Sequence, residues 1–217
     1  WSIKKTIRLI VTSRAYRQSS LVSAEQARLD PENKWFGRQA RYRLPAEMIR
    51  DNALFVSGLL QEGDAFNFSK PYQPAGYYRH LNFPKRSYRH DSNANQWRRG
   101  VYLHWQRQFL HPMMKAMDAP SREECLAKRP RSNTPNAALA LLNDPTFVEA
   151  ARALATRIIK EKTGTLEERI QFAWLTVLSR KAKADEVALL VGLFKESAKE
   201  YADQPERAKE LLNVGLA

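Results

Sequence analysis

The sequence predicts a mainly α-helical protein, a helical domain whose central segment is irregular, rich in aromatic residues and arginine, with room for one or two short strands. Three observations carry that expectation. From Thr134 onward, apolar residues recur at helical spacing behind capping residues. Between Phe66 and Phe109 stand 11 of the chain's 22 aromatic residues. Pro71, Pro74, Pro84, Pro112, Pro120 and Pro130 punctuate the same region and oppose long helices there. Residues 1–133 group as N-terminal helices plus the aromatic and arginine-rich segment, and residues 134–217 as a C-terminal helical bundle, the two forming one continuous domain.

Taken in order, residues 2–13 place Ile3, Ile7, Ile10 and Val11 on one helical face, with Lys4, Lys5 and Arg8 largely off it. Residues 14–34 are polar and read as loop, with a turn at Asp30-Pro31. A helix is expected from Pro45 to Leu60, with Pro45 at its first position and Glu47 complementing its N-terminus. Met48, Ile49, Ala53, Val56 and Leu60 form its apolar stripe, and Gly63 lies just past its end. Residues 100–109 fit either a strand, with Val101, Leu103 and Trp105 on one face, or a short helix.

Thr134-Pro135 and Asp144-Pro145 each set a capping side chain before a proline at the first helical position, ahead of Phe147, Ala151, Leu154 and Ile158. Thr165 and Glu168 form a capping box before Ile170, Ala173, Trp174, Val177 and Leu178. Val187, Leu190, Val191 and Phe194 mark a further amphipathic helix, and Pro205 opens a last one with Ala208, Leu211 and Leu212. The short connections predict neighbouring helices packed antiparallel.

The 217 residues, 43% hydrophobic and 27% charged, suit an ordinary folded chain with a core of its own. No apolar run reaches the length of a membrane span; residues 187–194 are among the longest. The chain opens at Trp1 with no signal peptide before it, which reads as an excised piece. Net charge is +13, and it is unevenly spread. Residues 1–160 carry 27 Lys and Arg against 13 Asp and Glu, whereas residues 161–217 carry 9 against 10. A field of that size favours anionic partners: nucleic acid, sulfated or carboxylated polysaccharide, anionic lipid or an acidic protein. Up to residue 131 the bases are 17 Arg and 7 Lys. Arginine pairs bidentately with carboxylates, stacks on rings and is easier to desolvate than lysine, so most of these arginines are expected to be structural or semi-buried.

Catalytic signatures are missing from the sequence. Cys125 is the sole cysteine, which excludes an internal disulfide, a cysteine-rich zinc site and a C-x-x-C-H haem attachment within this chain. His80, His90, His104 and His111 are spaced unlike any compact metal-ligand motif, so no metal site is assigned. Ser13, Ser121 and Ser132 lack a nucleophile-elbow setting, and the Asp118/Glu123 pair is the kind that chance supplies. No glycine-rich phosphate cradle is present. What stands out is the interleaving of base and ring from Trp97 to Arg107. Such a run stacks on nucleic-acid bases, stacks on sugar rings, or braces a core through cation–π contacts; bracing ranks first, anionic glycan second and nucleic acid third. The candidate ligand-binding residues are Arg98, Arg99, Tyr102, His104, Trp105, Asp118 and Arg122.

Several strings resemble one family. They include Ser13-Arg14-Ala15-Tyr16-Arg17-Gln18-Ser19-Ser20, Arg43-Leu44-Pro45-Ala46-Glu47-Met48-Ile49-Arg50-Asp51, Lys70-Pro71-Tyr72-Gln73-Pro74 and Tyr78-Arg79-His80-Leu81-Asn82-Phe83-Pro84. Arg98-Arg99-Gly100-Val101-Tyr102, Asp118-Ala119-Pro120-Ser121-Arg122-Glu123-Glu124-Cys125, Arg129-Pro130-Arg131-Ser132-Asn133-Thr134-Pro135 and Leu141-Leu142-Asn143-Asp144-Pro145-Thr146-Phe147-Val148 follow in matching order. Together they resemble the Planctomycete PSD-one domain, a family of unknown function, over residues 2–180. Two positions depart from the pattern: residues 63–69 replace a Gly-Gly-Pro-Ser-like turn, and Met117 stands where phenylalanine is usual.

The resemblance implies the C-terminal part of a larger exported protein, cut at both ends here, with a cytochrome-c-type domain elsewhere in the parent chain. Haem c is implied only there, and the family supplies no catalytic residue. The expectation is an extracytoplasmic binding or scaffolding domain of a redox-linked multidomain protein, engaged with other domains of its parent chain and with anionic polysaccharide. By itself the chain is not expected to be an enzyme. An alternative makes it part of an oxidoreductase or hydrolase site completed by other segments, with Arg98, Arg99, Tyr102, His104, Asp118 and Arg122 converging on one open pocket. Nucleic-acid binding is the third reading.

Overall fold

Short capping signals set most helix starts in this chain. The computed structural model describes residues 1–63, 68–79, 85–106 and 109–217. Among them run α1 (Ile3–Thr12), α2 (Ala24–Leu29), α3 (Ala46–Ser57), α4 (Pro112–Ala116), α5 (Pro135–Asn143), α6 (Pro145–Glu161), α7 (Leu166–Leu178), α8 (Ala184–Asp203) and α9 (Pro205–Leu212). The protein is mainly α. Its only β-type pairing among the described residues is two isolated parallel bridges, Gln61 with Arg98 and Ser69 with Leu103. Phe66, His80, Phe83, Arg107 and most of the 63–69 turn lie outside the described residues. No described helix is long and apolar enough to cross a membrane.

The chain forms two compact units, Trp1–Arg43 and Leu44–Ala217. In the first, Ser2 caps α1, and no residue is buried. The stretch read as loop contains α2, because Ser23 and Gln26 make a reciprocal capping box: the Ser23 hydroxyl accepts from the Gln26 N–H, and the Gln26 side chain accepts from the Ser23 N–H. Beyond α2 the Asp30 carboxylate accepts the N–H groups of Lys34 (2.7 Å) and Trp35 (2.9 Å), which hold it below the usual carboxylate range. Arg38 closes the turn by donating to the carbonyls of Asp30 (2.9 Å) and Pro31 (2.7 Å).

In the second unit α3 ends earlier than its pattern predicts. Gly58, at φ +80°, takes the left-handed conformation that side chains resist, and the N–H groups of Leu59 and Leu60 both return to the Leu54 carbonyl. Leu60 and Gly63 therefore lie beyond the helix, and Pro45 is its cap residue rather than its first turn. The buried face also differs. Ala46, Arg50, Leu54 and Ser57 are buried together with Val56 of the expected stripe, Ile49 and Ala53 pack beside the core, and Met48 is exposed.

The core gathers Ala46 of α3, Leu103 and Leu110 of the irregular segment, Met113, Met114 and Met117 at α4, and Phe147 of α6. Burying each large side chain contributes about 1.5–3 kcal/mol. The centre of mass of apolar burial thus lies where α3, α4, α5 and α6 meet the irregular segment. Thr134 and Asp144 cap α5 and α6 as expected, accepting from Ala137 (3.2 Å) and Thr146 (2.9 Å). On α6 the inward residues are Thr146, Phe147, Glu149 and Ala150, so Ala151 lies outside the stripe.

Side chains tie α6 to its surroundings. Arg157 donates to the Val56 carbonyl (2.8 Å), one of the groups that the end of α3 leaves unsatisfied. Glu149, fully buried, accepts the N–H groups of Leu216 (2.5 Å) and Ala217 (2.7 Å), which folds the last residues back onto α6. α7, α8 and α9 pack in sequence, each on the one before, and Gln171 clamps the α7–α8 turn through both backbone groups of Ala182. α8 and α9 contain no buried residue, and Val177, Leu178 and Phe194 of the expected stripes are exposed.

Arg50 joins α3 to the irregular segment. It has no exposed surface, and its two terminal nitrogens donate to the carbonyls of Arg98 and Gln96. Burial lowers its pKa to about 10, opposed by the carboxylates of Asp51 and Asp144, so it stays charged at neutral pH. Next to it the Gly100 N–H donates to Asp51 (2.6 Å). A side chain at Gly100 would stand 2.9 Å from the Glu47 Cβ, so the close approach needs glycine.

Replacing Arg50 by methionine keeps the volume but strips two buried carbonyls of their donors. Arg50→Met is expected to lose about 3 kcal/mol or more in urea unfolding, with Arg50→Lys recovering less than half of that loss. A loss below about 1 kcal/mol for the methionine variant would mean that those carbonyls find other partners.

Candidate functional site

The irregular segment has few backbone partners of its own, so side chains supply them. The Ser69 N–H donates to the Tyr102 carbonyl (2.9 Å) and the His104 N–H to the Ser69 carbonyl (2.7 Å). The buried Gln96 amide donates to the carbonyls of Lys70 (3.1 Å) and Asp91 (2.5 Å). Asp91 in turn accepts the Lys70 N–H (2.8 Å). Phenol groups do the same work: Tyr88 donates to Pro71 (2.7 Å) and Tyr77 to Leu110 (3.0 Å). Tyr77, Tyr78, Tyr88 and Phe109 pack mostly edge-on, with ring centres 5.4–6.1 Å apart.

The expected strand or helix over residues 100–109 is instead a single 3₁₀ turn, Gly100–Tyr102, followed by extended chain as far as it is described. That turn packs against α3, and Val101 is exposed while Leu103 is buried, so the run shows no strand alternation.

The seven candidate residues fall into separate pairings. Arg98 is buried, with its guanidinium 4.6 Å from the centre of the Tyr102 ring. Arg122, in a left-handed conformation, lies 3.8 Å over the Trp105 ring, whose N–H donates to the Ser121 carbonyl (3.2 Å). The Asp118 carboxylate accepts both the N–H (2.7 Å) and the hydroxyl (2.8 Å) of Ser132, pinning the ends of the 118–132 loop together. Arg99 is exposed, and His104 is half-buried.

A cleft of about 560 Å³ opens elsewhere, between residues 72–74, α4 and α5, walled by Tyr72, His90, Met113, Leu139 and Asp144. None of the seven candidates lines it. Burial raises the Asp144 carboxyl above its ordinary range, while the Thr146 N–H and Arg50 pull it back. Cys125 is exposed, and no three His, Cys, Asp or Glu residues gather to hold a metal among the described residues.

A family model described as PSD1, protein of unknown function (DUF1553), matches residues 1–194. The chain belongs to this family. Searches of the curated proteins and of the solved structures return no match. The PSD1 match runs through both compact units and into α8, so it takes in the core, the cleft and all seven candidates.

Two residues central to this PSD1 chain are not among the candidates chosen from the sequence. Arg50 recurs with Ala46, Leu54 and Ser57 at helical spacing, and a charged residue on such a face was its one signal. His111, also buried, approaches the Tyr72 carbonyl through Nε2 at 2.6 Å. Donation there makes Nδ1 the bare nitrogen of the neutral ring, and Nδ1 is enclosed without a partner. Burial, with the Arg50 charge adding to it, lowers the His111 pKa to about 4 against the pull of the Tyr72 carbonyl.

A depressed histidine stabilises the folded state above its unfolded pKa near 6.5, and that contribution fades as pH falls toward 4. Over that window the unfolded chain binds the proton and the folded one does not, so wild type loses up to about 3 kcal/mol more than His111→Asn. Parallel urea titrations at pH 7 and pH 4.5 read the difference, and equal losses in the two proteins would contradict the assignment.

Proposed function

We propose that the chain is a binding and scaffolding domain of a larger, exported, redox-linked protein, and that it engages anionic polysaccharide. The observation that carries the reading is how the central segment spends its cations. Arg50 and Arg98 are buried braces, and Arg122 covers a tryptophan. Lys85, Arg86, Arg89 and Arg99 instead stand exposed and make no ion pair among the described residues. A basic surface over an ordered, aromatic-packed layer suits a polymer of sulfated or uronic sugars, because cations carried on a braced backbone present spaced charges to spaced anions.

The exported, haem-linked setting rests on the resemblance to the PSD-one family. With Cys125 as the only cysteine, the chain lacks the paired thiols of a haem c attachment, so that group is assigned to the parent protein alone. The enzymatic alternative asks its residues to share one pocket, and the three separate pairings of Arg98, Trp105 and Asp118 give it little support.

Retention on immobilised heparin, carrageenan, alginate and neutral dextran tests the reading. Binding to the charged polymers but not to dextran is expected, weakened about three-fold or more in Arg89→Gln with Arg99→Gln and by added salt. Equal retention on single-stranded DNA would favour the nucleic-acid reading, and no retention on any acidic glycan would remove the polysaccharide part.

A further inference from the structure

Three bases that are far apart in sequence meet on one side of the irregular layer. The hydrogen bonds Ser69 N–H to Tyr102 and His104 N–H to Ser69 lay residues 69–70 alongside 102–104, which sets Lys70 beside His104. Arg86 reaches the same strip from the other side, where its Nη1 donates to the Gln106 side chain at 2.9 Å. Tyr88 backs the imidazole, the two ring centres lying 6.2 Å apart. Lys70 and His104 are half-buried, and Arg86 is exposed.

No carboxylate balances this cluster among the described residues. Lys70 and Arg86 make no ion pair with any described residue. Asp91, five residues beyond Arg86, spends an oxygen on the Lys70 backbone N–H. Burial, then Lys70 and Arg86, lowers the proton affinity of His104, and no acid opposes them. Like charges held together without a counter-ion, on a backbone fixed by hydrogen bonds, are the electrostatic complement of an anion that is not part of the chain.

We infer that Lys70, Arg86 and His104 form an oxyanion site that takes the sulfate or carboxylate group of an acidic sugar. This deepens the polysaccharide reading and rests on it for the source of the anion. Lys70 supplies a point charge, Arg86 the guanidinium nitrogens not held by Gln106, and His104 a ring N–H. Tyr88 walls the site without adding charge at neutral pH, its phenol being engaged to Pro71. The charges that act on His104 are Lys70 and Arg86, with the Tyr88 ring beside it and the Asp91 carboxylate held by the Lys70 N–H, so an arriving anion offsets two cations and favours the protonated ring. Binding therefore tightens as pH falls from 7 toward 5.

The test is NMR of the histidine ring nitrogens in the whole chain, titrated with sodium sulfate, sodium glucuronate and sodium chloride at matched ionic strength. Sulfate or glucuronate is expected to give a saturable shift at His104 and to raise its pKa by about one unit, with His90 and His111 unmoved. Lys70→Gln and Arg86→Gln, each checked for an unchanged fold by its amide spectrum, are expected to weaken saturation at least five-fold, roughly the cost of one charge-assisted hydrogen bond. The relative strength of the two anions tells which sugar chemistry the site prefers. A shift that chloride reproduces, or one that the two variants leave intact, overturns the site. If the glycan columns retain wild type and both variants equally, the oxyanion site falls while the polysaccharide reading stands. Saturable sulfate binding without glycan retention upholds the site and removes only its assigned source.

Discussion

The structure depends on one buried cation. Arg50 sits on the inner face of α3 with its guanidinium donating to the carbonyls of Gln96 and Arg98, and it thereby fixes the position of a segment that has almost no secondary structure of its own. Asp51 repeats the connection one residue on, through the Gly100 N–H. An irregular chain loses backbone entropy on folding without ladder hydrogen bonds in return, so each fixed carbonyl matters more there than in a helix. The methionines of α4 then fill the uneven space between α3 and the loops, which suits their unbranched, adaptable side chains.

Local signals were legible in the sequence, and long-range ones were not. Thr134 before Pro135 and Asp144 before Pro145 start their helices because the capping oxygen and the fixed proline φ act within one turn. The end of α3 was misjudged for a physical reason: Leu59 and Leu60 extend the apolar pattern, but the backbone at Gly58 has already turned left-handed. α2 went unseen because six residues are too few for a periodic stripe, although the Ser23 and Gln26 box was there to read. Helical apolar spacing also presumes a helix with one wet face and one buried face. α8, whose apolar residues are largely half-buried or exposed, follows the spacing without a buried partner.

The candidate site was legible in kind more than in place. Interleaved arginines and rings from Trp97 onward pointed to stacking, and Arg98 on Tyr102 has that geometry. The partner of Trp105 is Arg122, seventeen residues away, and no spacing rule connects them. Lys70, Arg86 and His104 span a still longer stretch, brought together by the pairing of residues 69 and 103 and by the Arg86 bond to Gln106. Contacts made through a single isolated bridge leave no periodic trace, since a ladder is needed to impose alternation.

The manner of bracing accounts for the charge of the surface. Arg50, held by the carbonyls of Gln96 and Arg98, also faces the Asp51 carboxylate at 4.0 Å, whereas a guanidinium stacked on a ring, as Arg122 is on Trp105, needs no carboxylate. Each such brace therefore adds a positive charge that the fold does not cancel. Had the same segment been held by Arg–Glu pairs, of which Arg129 with Glu47 is an example, the layer would be close to neutral. The excess of cations on residues 1–160 is thus in part a by-product of how an irregular segment is made rigid. An anion-binding role needs that rigidity as well as the charge, because a backbone already fixed leaves only the side chains of its exposed cations to be ordered when a ligand arrives.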